Sequence, residues 1–164
     1  MIVFHGSDVI VDKPKILSVT RPLDFGSGFY VTTNRDQALS WAKRVSYRNN
    51  TKFAYLNSYD FQFESAKENM RIIKFDGAGE KWLDFICKNR RMAYTGDDYD
   101  IVIGPVADDK VYRVVINYEN GEIDKDEALK RLKVEKLCDQ ILFHDLEALK
   151  YLKFIGAEVC YGEK

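Results

Sequence analysis

Three short stretches of this chain of 164 residues hold side chains suited to gripping a sugar and a flat, charged ring. The first is His5-Gly6-Ser7, which follows the apolar run Ile2 to Phe4. A histidine there can hydrogen-bond a ribose hydroxyl, and Gly6 lets a ligand touch the main chain because no Cβ intrudes. The second is Asp24-Phe25-Gly26-Ser27-Gly28-Phe29-Tyr30-Val31-Thr32-Thr33, with Trp41 eleven residues beyond Tyr30. Two glycines around Ser27 give a bend that brings backbone close to a ligand. Aromatic faces at Tyr30 and Trp41 can sandwich a flat cation, gaining roughly 0.5–2 kcal/mol. The third is Asp139-Gln140 at the start of an apolar run ending in His144. Each stretch also has an ordinary reading. His5 serves as a partly buried packing residue, Tyr30 and Trp41 as core aromatics, and Asp139-Gln140 as a solvated strand start.

The elements that must position these residues follow from pattern. Ile2 to Phe4 predicts a strand feeding a turn at His5-Gly6-Ser7, and residues 8–25, with Pro14 and Pro22, predict a long loop. Gly28 to Thr33 is β-branched and aromatic, hence a strand. Asn34 or Thr33 then caps a helix with Ala38, Trp41, Ala42 and Val45 on one face. Aromatics alternate from Phe53 to Phe63, which predicts one or two strands. Gly79 to Arg90 reads as a helix with Trp82, Phe85, Ile86 and Asn89 on one side, and Asp100 to Ile103 as a strand stopped by Gly104-Pro105. Asp108 or Asp109 caps a helix striped by Val111, Val114, Val115 and Tyr118 and ended by Gly121; Asp124 caps another with Ala128, Leu129 and Leu132 inward. Gln140 to His144 is a strand, Asp145 to Tyr151 a short helix, and Phe154 to Tyr161 a last strand. With no strand–helix rhythm, no repeat and no linker, the expectation is one α+β domain over residues 1–164.

Composition narrows the classes. The chain is 46% hydrophobic and 31% charged, with 25 basic and 26 acidic residues and a net charge of −1. That balance predicts no strong non-specific pull on nucleic acid, a local basic patch aside. Lys88, Arg90 and Arg91 form the densest basic cluster, which a solvated helix end also explains. Cys87, Cys138 and Cys160 are widely spaced, and with only His5 and His144 as histidines no metal site is expected. No apolar run approaches a membrane span, and an opening Met-Ile-Val-Phe-His without a signal peptide, together with free cysteines, points to the cytoplasm. There is no G-x-G-x-x-G opening a helix, which argues against a doubly wound dinucleotide site.

Taken together, the three stretches resemble the ADP-ribosyltransferase superfamily, on the branch of diphtheria toxin and the poly(ADP-ribose) polymerases. His5, Gly6 and Ser7 match its His-Gly-Ser/Thr strand, and Phe25, Gly26, Gly28, Phe29 and Tyr30, then Ala38, match its Phe-Gly-x-Gly-Ile-Tyr-Phe strand and trailing helix. The chain looks closer still to small bacterial and phage proteins of unknown function in that superfamily. These share the His-Gly-Ser opening, Asp-Phe-Gly-x-Gly-Phe-Tyr-x-Thr-Thr, Ile-Gly-Pro-Val-Ala-Asp-Asp and the late Asp-Gln strand. The resemblance implies a split two-sheet fold with peripheral helices and an NAD cleft, NAD being the substrate and no metal being needed. It implies His5 on a ribose hydroxyl, Gly6 and Ser7 at the nicotinamide carboxamide, the turn at Gly28 beside the ligand, and Tyr30 and Trp41 stacking. Arg21 suits the pyrophosphate, its planar fork matching phosphate oxygens, although a surface loop arginine reads the same way.

Gln140 stands where chain-elongating members carry Glu. Cleaving the nicotinamide–ribose bond makes an oxocarbenium-like cation, which a carboxylate stabilises. At about 4 Å and an effective dielectric of about 20 its loss is on the order of 4 kcal/mol, roughly a thousandfold in rate. Asp139 points to the opposite strand face, and only folding could bring Asp108 or Asp109 to the site. The expected activity is therefore mono-ADP-ribosyl transfer to an unknown acceptor, with Gln140, His5 and Tyr30 as its catalytic group. The alternative is a weakly active or inactive NAD- or protein-binding module of the same fold. The resemblance further implies a toxin paired with a small antitoxin protein.

Overall fold

The computed structural model describes residues 1–16, 23–91, 98–133 and 137–161. In chain order its elements are β1 (Ile2–Ser7), β2 (Phe29–Val31), α1 (Arg35–Arg48), β3 (Phe53–Phe61), α2 (Phe63–Asn69), β4 (Ile72–Lys74), α3 (Glu80–Arg90), β5 (Ile101–Pro105), α4 (Asp109–Glu119), α5 (Lys125–Leu132), β6 (Asp139–Phe143), α6 (Leu146–Leu149) and β7 (Leu152–Tyr161). They form an α+β fold with two sheets. One runs β1-β3-β7, all antiparallel; the other runs β2-β6-β5-β4, with β4 parallel to β5 and the remaining pairs antiparallel.

Strand alternation builds two cores. Val3, Tyr59 and Phe61 of the first sheet meet Phe29, Val31, Ile101, Ile103, Ile141 and Phe143 of the second, filling the space between the sheets. The intervening residues of the second sheet, Val102 and Leu142, face the other way, onto Trp82, Leu83 and Ile86 of α3, Val111 and Val115 of α4, and Ala128 and Leu132 of α5. A period of two thus gives the second sheet two buried faces.

The caps explain where helices begin. Asn34 accepts from Gln37 N, Asp108 from Lys110 N and Val111 N, Asp124 from Glu127 N, and Asp145 from Ala148 N. Each satisfies a backbone donor that the first helical turn leaves open.

Three expectations are corrected, and one element, β4, is new. β1 does not end in a turn at His5 but continues to Ser7, paired with β3 as far as Tyr55. Phe63 leaves the aromatic alternation and starts α2, a helix with only Ala66 buried, too short for a periodic stripe to show. β4, a three-residue edge strand, carries no alternation to read. Trp41 is not on the inner face of α1: that face is Ala38, Ala42 and Ser46, while Trp41 is 43% exposed. The cause is β1. A Cβ on Gly6 would lie 2.0 Å from Ala38 O and 2.6 Å from Ala42 N, so helix and strand are pressed together with room only for small side chains. No helix among the described residues is long and apolar enough to cross a membrane.

Candidate active site

Among the described residues, backbone hydrogen bonds join the two sheets at one place. Phe4 N donates to Thr32 O at 2.8 Å and Thr32 N to Phe4 O at 2.9 Å, an isolated antiparallel bridge between β1 and the end of β2. The same register would next set Gly6 opposite Tyr30, yet no backbone bond joins them. Instead the His5 ring reaches across, its Nδ1 2.7 Å from Tyr30 O. Main-chain groups of alternate strand residues point along the same edge. Since Phe4 turns its N–H and C=O toward β2, Gly6 turns its own the same way, into the gap where the strands part. A donor and an acceptor on one glycine, side by side at an open edge, match the pattern of a primary carboxamide.

His5 is held on both sides. Its ring lies 4.4 Å from that of Phe29, and its backbone carbonyl accepts from Asn57 Nδ2 at 3.3 Å. Burial pushes its pKa below the ordinary imidazole value, partly offset by the bond to Tyr30 O. Desolvation disfavours the charged ring, so His5 is neutral at physiological pH. Asn57, completely buried on β3, also accepts from Val11 N at 2.8 Å and donates to Val9 O, and Tyr59 Oη donates to Val11 O at 2.6 Å. These bonds strap the segment after β1 over the inter-sheet core. Ser7 Oγ is engaged locally, accepting from Val9 N at 3.3 Å.

Tyr30 points to the second sheet's other face, against the helical core. Its hydroxyl donates to Gly26 O at 2.7 Å and accepts from Phe25 N at 3.3 Å, closing the glycine turn on itself. Burial, helped by the nearby Asp24 charge, pushes the phenol well above its ordinary pKa, so it is a neutral hydrogen-bonding group and not a base. The turn is clamped further on. A Cβ on Gly28 would fall 2.3 Å from Phe143 O, and His144 Nδ1 lies 2.9 Å from Ser27 O. Asp24, at its start, accepts from Arg90 Nε and Nη2 at 3.1 and 2.7 Å and from Ala107 N at 3.2 Å.

β2 pairs with β6 so that Tyr30 faces Leu142, which puts Gln140 one step diagonally away on the same face. Gln140 is buried, and its Nε2 donates to Pro105 O at 3.4 Å, the carbonyl that also accepts from Trp82 Nε1. Asp139 turns to the opposite face. It accepts from Thr32 Oγ1, Thr33 N and Thr33 Oγ1 at 2.8–3.1 Å, tying the end of β2 to the start of β6. Asp108 is spent as the cap of α4.

His5, Gly6 and Tyr30 therefore meet where β1 and β2 part, with Ser7 at the end of the same strand, whereas Gln140 lies across β2 on the face of the Tyr30 side chain and Gly28 packs against Phe143. Trp41 stands apart: it lies on the solvent side of α1, while Tyr30 packs against the helical core. Arg21 falls outside the described residues. Asn57, His144 and the Asp24–Arg90 pair support the site without a signal in the sequence, because nothing local distinguishes a buried clamp from a surface polar residue. A separate cleft of about 560 Å³ lies between Asp76–Glu80 and the end of α5, and shares only Pro105 with this group. Among the described residues no cluster of three or more His, Cys, Asp or Glu could hold a metal ion.

Comparison with known proteins adds one finding. No curated protein and no solved structure matches the chain. A family model described as "Protein of unknown function (DUF3990)" matches residues 1–154, and the chain belongs to that family.

Proposed function

We propose that the protein is an NAD-dependent mono-ADP-ribosyltransferase whose cleft is the split between β1 and β2. The observation that carries this reading is the open Gly6 amide edge facing Tyr30, spanned by His5. A nicotinamide carboxamide pairs with the Gly6 N–H and C=O, as a neighbouring strand would. His5, neutral and fixed by Tyr30 O, offers its remaining ring nitrogen to a ribose hydroxyl. Gln140, on the face of Tyr30, is a hydrogen-bonding group without charge. It orients a ribose hydroxyl but gives the oxocarbenium no counter-charge, which fits one slow transfer and not repeated elongation.

A second reading is favoured by a different observation. The Tyr30 hydroxyl is satisfied internally and Gln140 is buried against Pro105, so that face is packed like a core. On this reading the chain keeps the scaffold and binds a nucleotide or a small antitoxin-like protein without turnover.

Incubation with adenine-labelled NAD and host lysate separates the two, with wild type beside Tyr30→Ala and Gln140→Ala and folding checked by circular dichroism. Label passing to macromolecules with wild type and lost in Tyr30→Ala is the expected result. Folded wild type that neither binds NAD nor releases nicotinamide would sink the transferase reading.

A further inference from the structure

The solvent side of α1 has a composition that the site chemistry does not use. On a helical wheel of about 100° per residue, Tyr47, Ser40, Arg44, Arg48 and Trp41 fall in that order within an arc of roughly 120°. All five are exposed, Tyr47 at 76% and Trp41 at 43%. Two bare aromatic rings thus flank two arginines, opposite the small buried face of Ala38, Ala42 and Ser46. Lys52, also exposed, follows just beyond the helix.

The charge around this stripe is one-sided. From Gln37 to Tyr59 the chain contains no Asp or Glu, while Lys43, Arg44, Arg48 and Lys52 all lie there. Nearby acids are committed elsewhere: Glu158 is paired with Arg35 at 2.5 Å, and Asp8 accepts from Asn49 Nδ2 at 3.0 Å. Asp36 lies in the first turn, ahead of the stripe. Among the described residues neither Arg44 nor Arg48 forms an ion pair. A chain with a net charge of −1 therefore carries a local cationic face, and exposes on it large rings that an ordinary solvated helix face does not need.

We propose that this face of α1 docks single-stranded nucleic acid, with Arg44, Arg48 and Lys52 on phosphates and bases stacked on Trp41 and Tyr47. Cations that track a backbone, interleaved with aromatic platforms, are what unpaired strands require, because every base offers a π-face. A protein partner is the weaker fit. The core of a protein interface is depleted in charge, whereas here the arginines sit between the rings and no Leu, Ile or Val joins them in the exposed stripe. A duplex fits less well too, since its bases are stacked on each other and leave Trp41 and Tyr47 without partners.

The proposal is independent of NAD chemistry, so its test omits NAD. Fluorescence anisotropy is read on a labelled single-stranded oligonucleotide of mixed sequence, against the same sequence as a duplex and against a labelled polyglutamate peptide. The full chain should bind the single strand more tightly than the duplex. Tyr47→Ala should weaken that binding about tenfold, the loss of one stacked base, and Tyr47→Phe should restore it. Arg44→Ala with Arg48→Ala should flatten the slope of log K against log salt by about 0.7 for each phosphate no longer neutralised. The exposed positions leave folding intact, checked by thermal melting. Equal affinity for polyglutamate, tighter binding of the duplex, or a single-strand affinity unchanged by Tyr47→Ala would each overturn the proposal.

Discussion

At the end of α3, Arg90 gives two hydrogen bonds to Asp24 and stacks 4.6 Å over the Tyr112 ring, while Arg91 pairs with Glu119 at 3.8 Å. On α1, Arg44 and Arg48 stand exposed between two aromatic rings, and among the described residues neither forms an ion pair. In the sequence the first group is the denser basic cluster and draws the eye. In the folded molecule its two arginines are paired with acids, and Arg90, only 11% exposed, is a structural strut that locks the start of the glycine turn. Where a cation can act on a partner depends on which acids folding brings to it, and spacing along the chain does not report that.

The contrast can be broken by mutation. Arg90→Ala should have the largest effect, about 3–5 kcal/mol lost in urea denaturation, because it strands a largely buried Asp24 carboxylate. A loss below about 1 kcal/mol would show that the pair behaves like an exposed one. Gly6→Ala comes next, at about 1–3 kcal/mol, since the added methyl must displace α1 backbone. The same variant should weaken NAD binding by separating β1 from α1 and moving the amide edge.

Acid sharpens the contrast further, because His5 and His144 are both partly buried and desolvation lowers their pKa values from 6.5. Their unfolded forms take up protons first, so the stability they contribute is complete above 6.5 and is lost as pH falls from there toward the folded values. Melting temperature across that window should drop, and less so in His144→Gln. The smallest change is expected on α1, where Arg44→Ala with Arg48→Ala should alter stability by no more than about 0.5 kcal/mol. A larger loss there would mean that the stripe is structural.

Much of the fold was legible because periodicity reports burial directly. The alternation of Phe53 to Phe61 gave β3, and Val111, Val115 and Tyr118 gave α4 with its Asp108 cap. α2 and β4 were not legible, since neither is long enough to complete a pattern. At the candidate site, Gly6 reads from sequence as an opening for a ligand, and its second constraint, the backbone of α1 against its Cα, is a tertiary fact. The inward placing of Trp41 failed for the same reason. A helix wheel identifies which residues share a face, but the closeness of β1 decides that only small ones can fill it. Asp139 is expected to face away from Gln140 and does, although its clamp on Thr32 and Thr33 could not be seen from the strand alone.

The single Phe4–Thr32 bridge also bears on solubility. A sheet edge with unpaired N–H and C=O groups invites other chains to add to it, and proteins usually blunt such edges with charge, proline or a covering helix. Here β1 and β2 present their edges to one another, buttoned at one end by that bridge and linked beyond it by the His5 ring on Tyr30 O. Gly6 is buried, so the unpaired stretch of both edges is shielded from other chains although no backbone bond claims that glycine's amide. Without the imidazole, Tyr30 O would be free to accept from Gly6 N, so the bridge would lengthen like a zipper and join the sheets through β1 and β2.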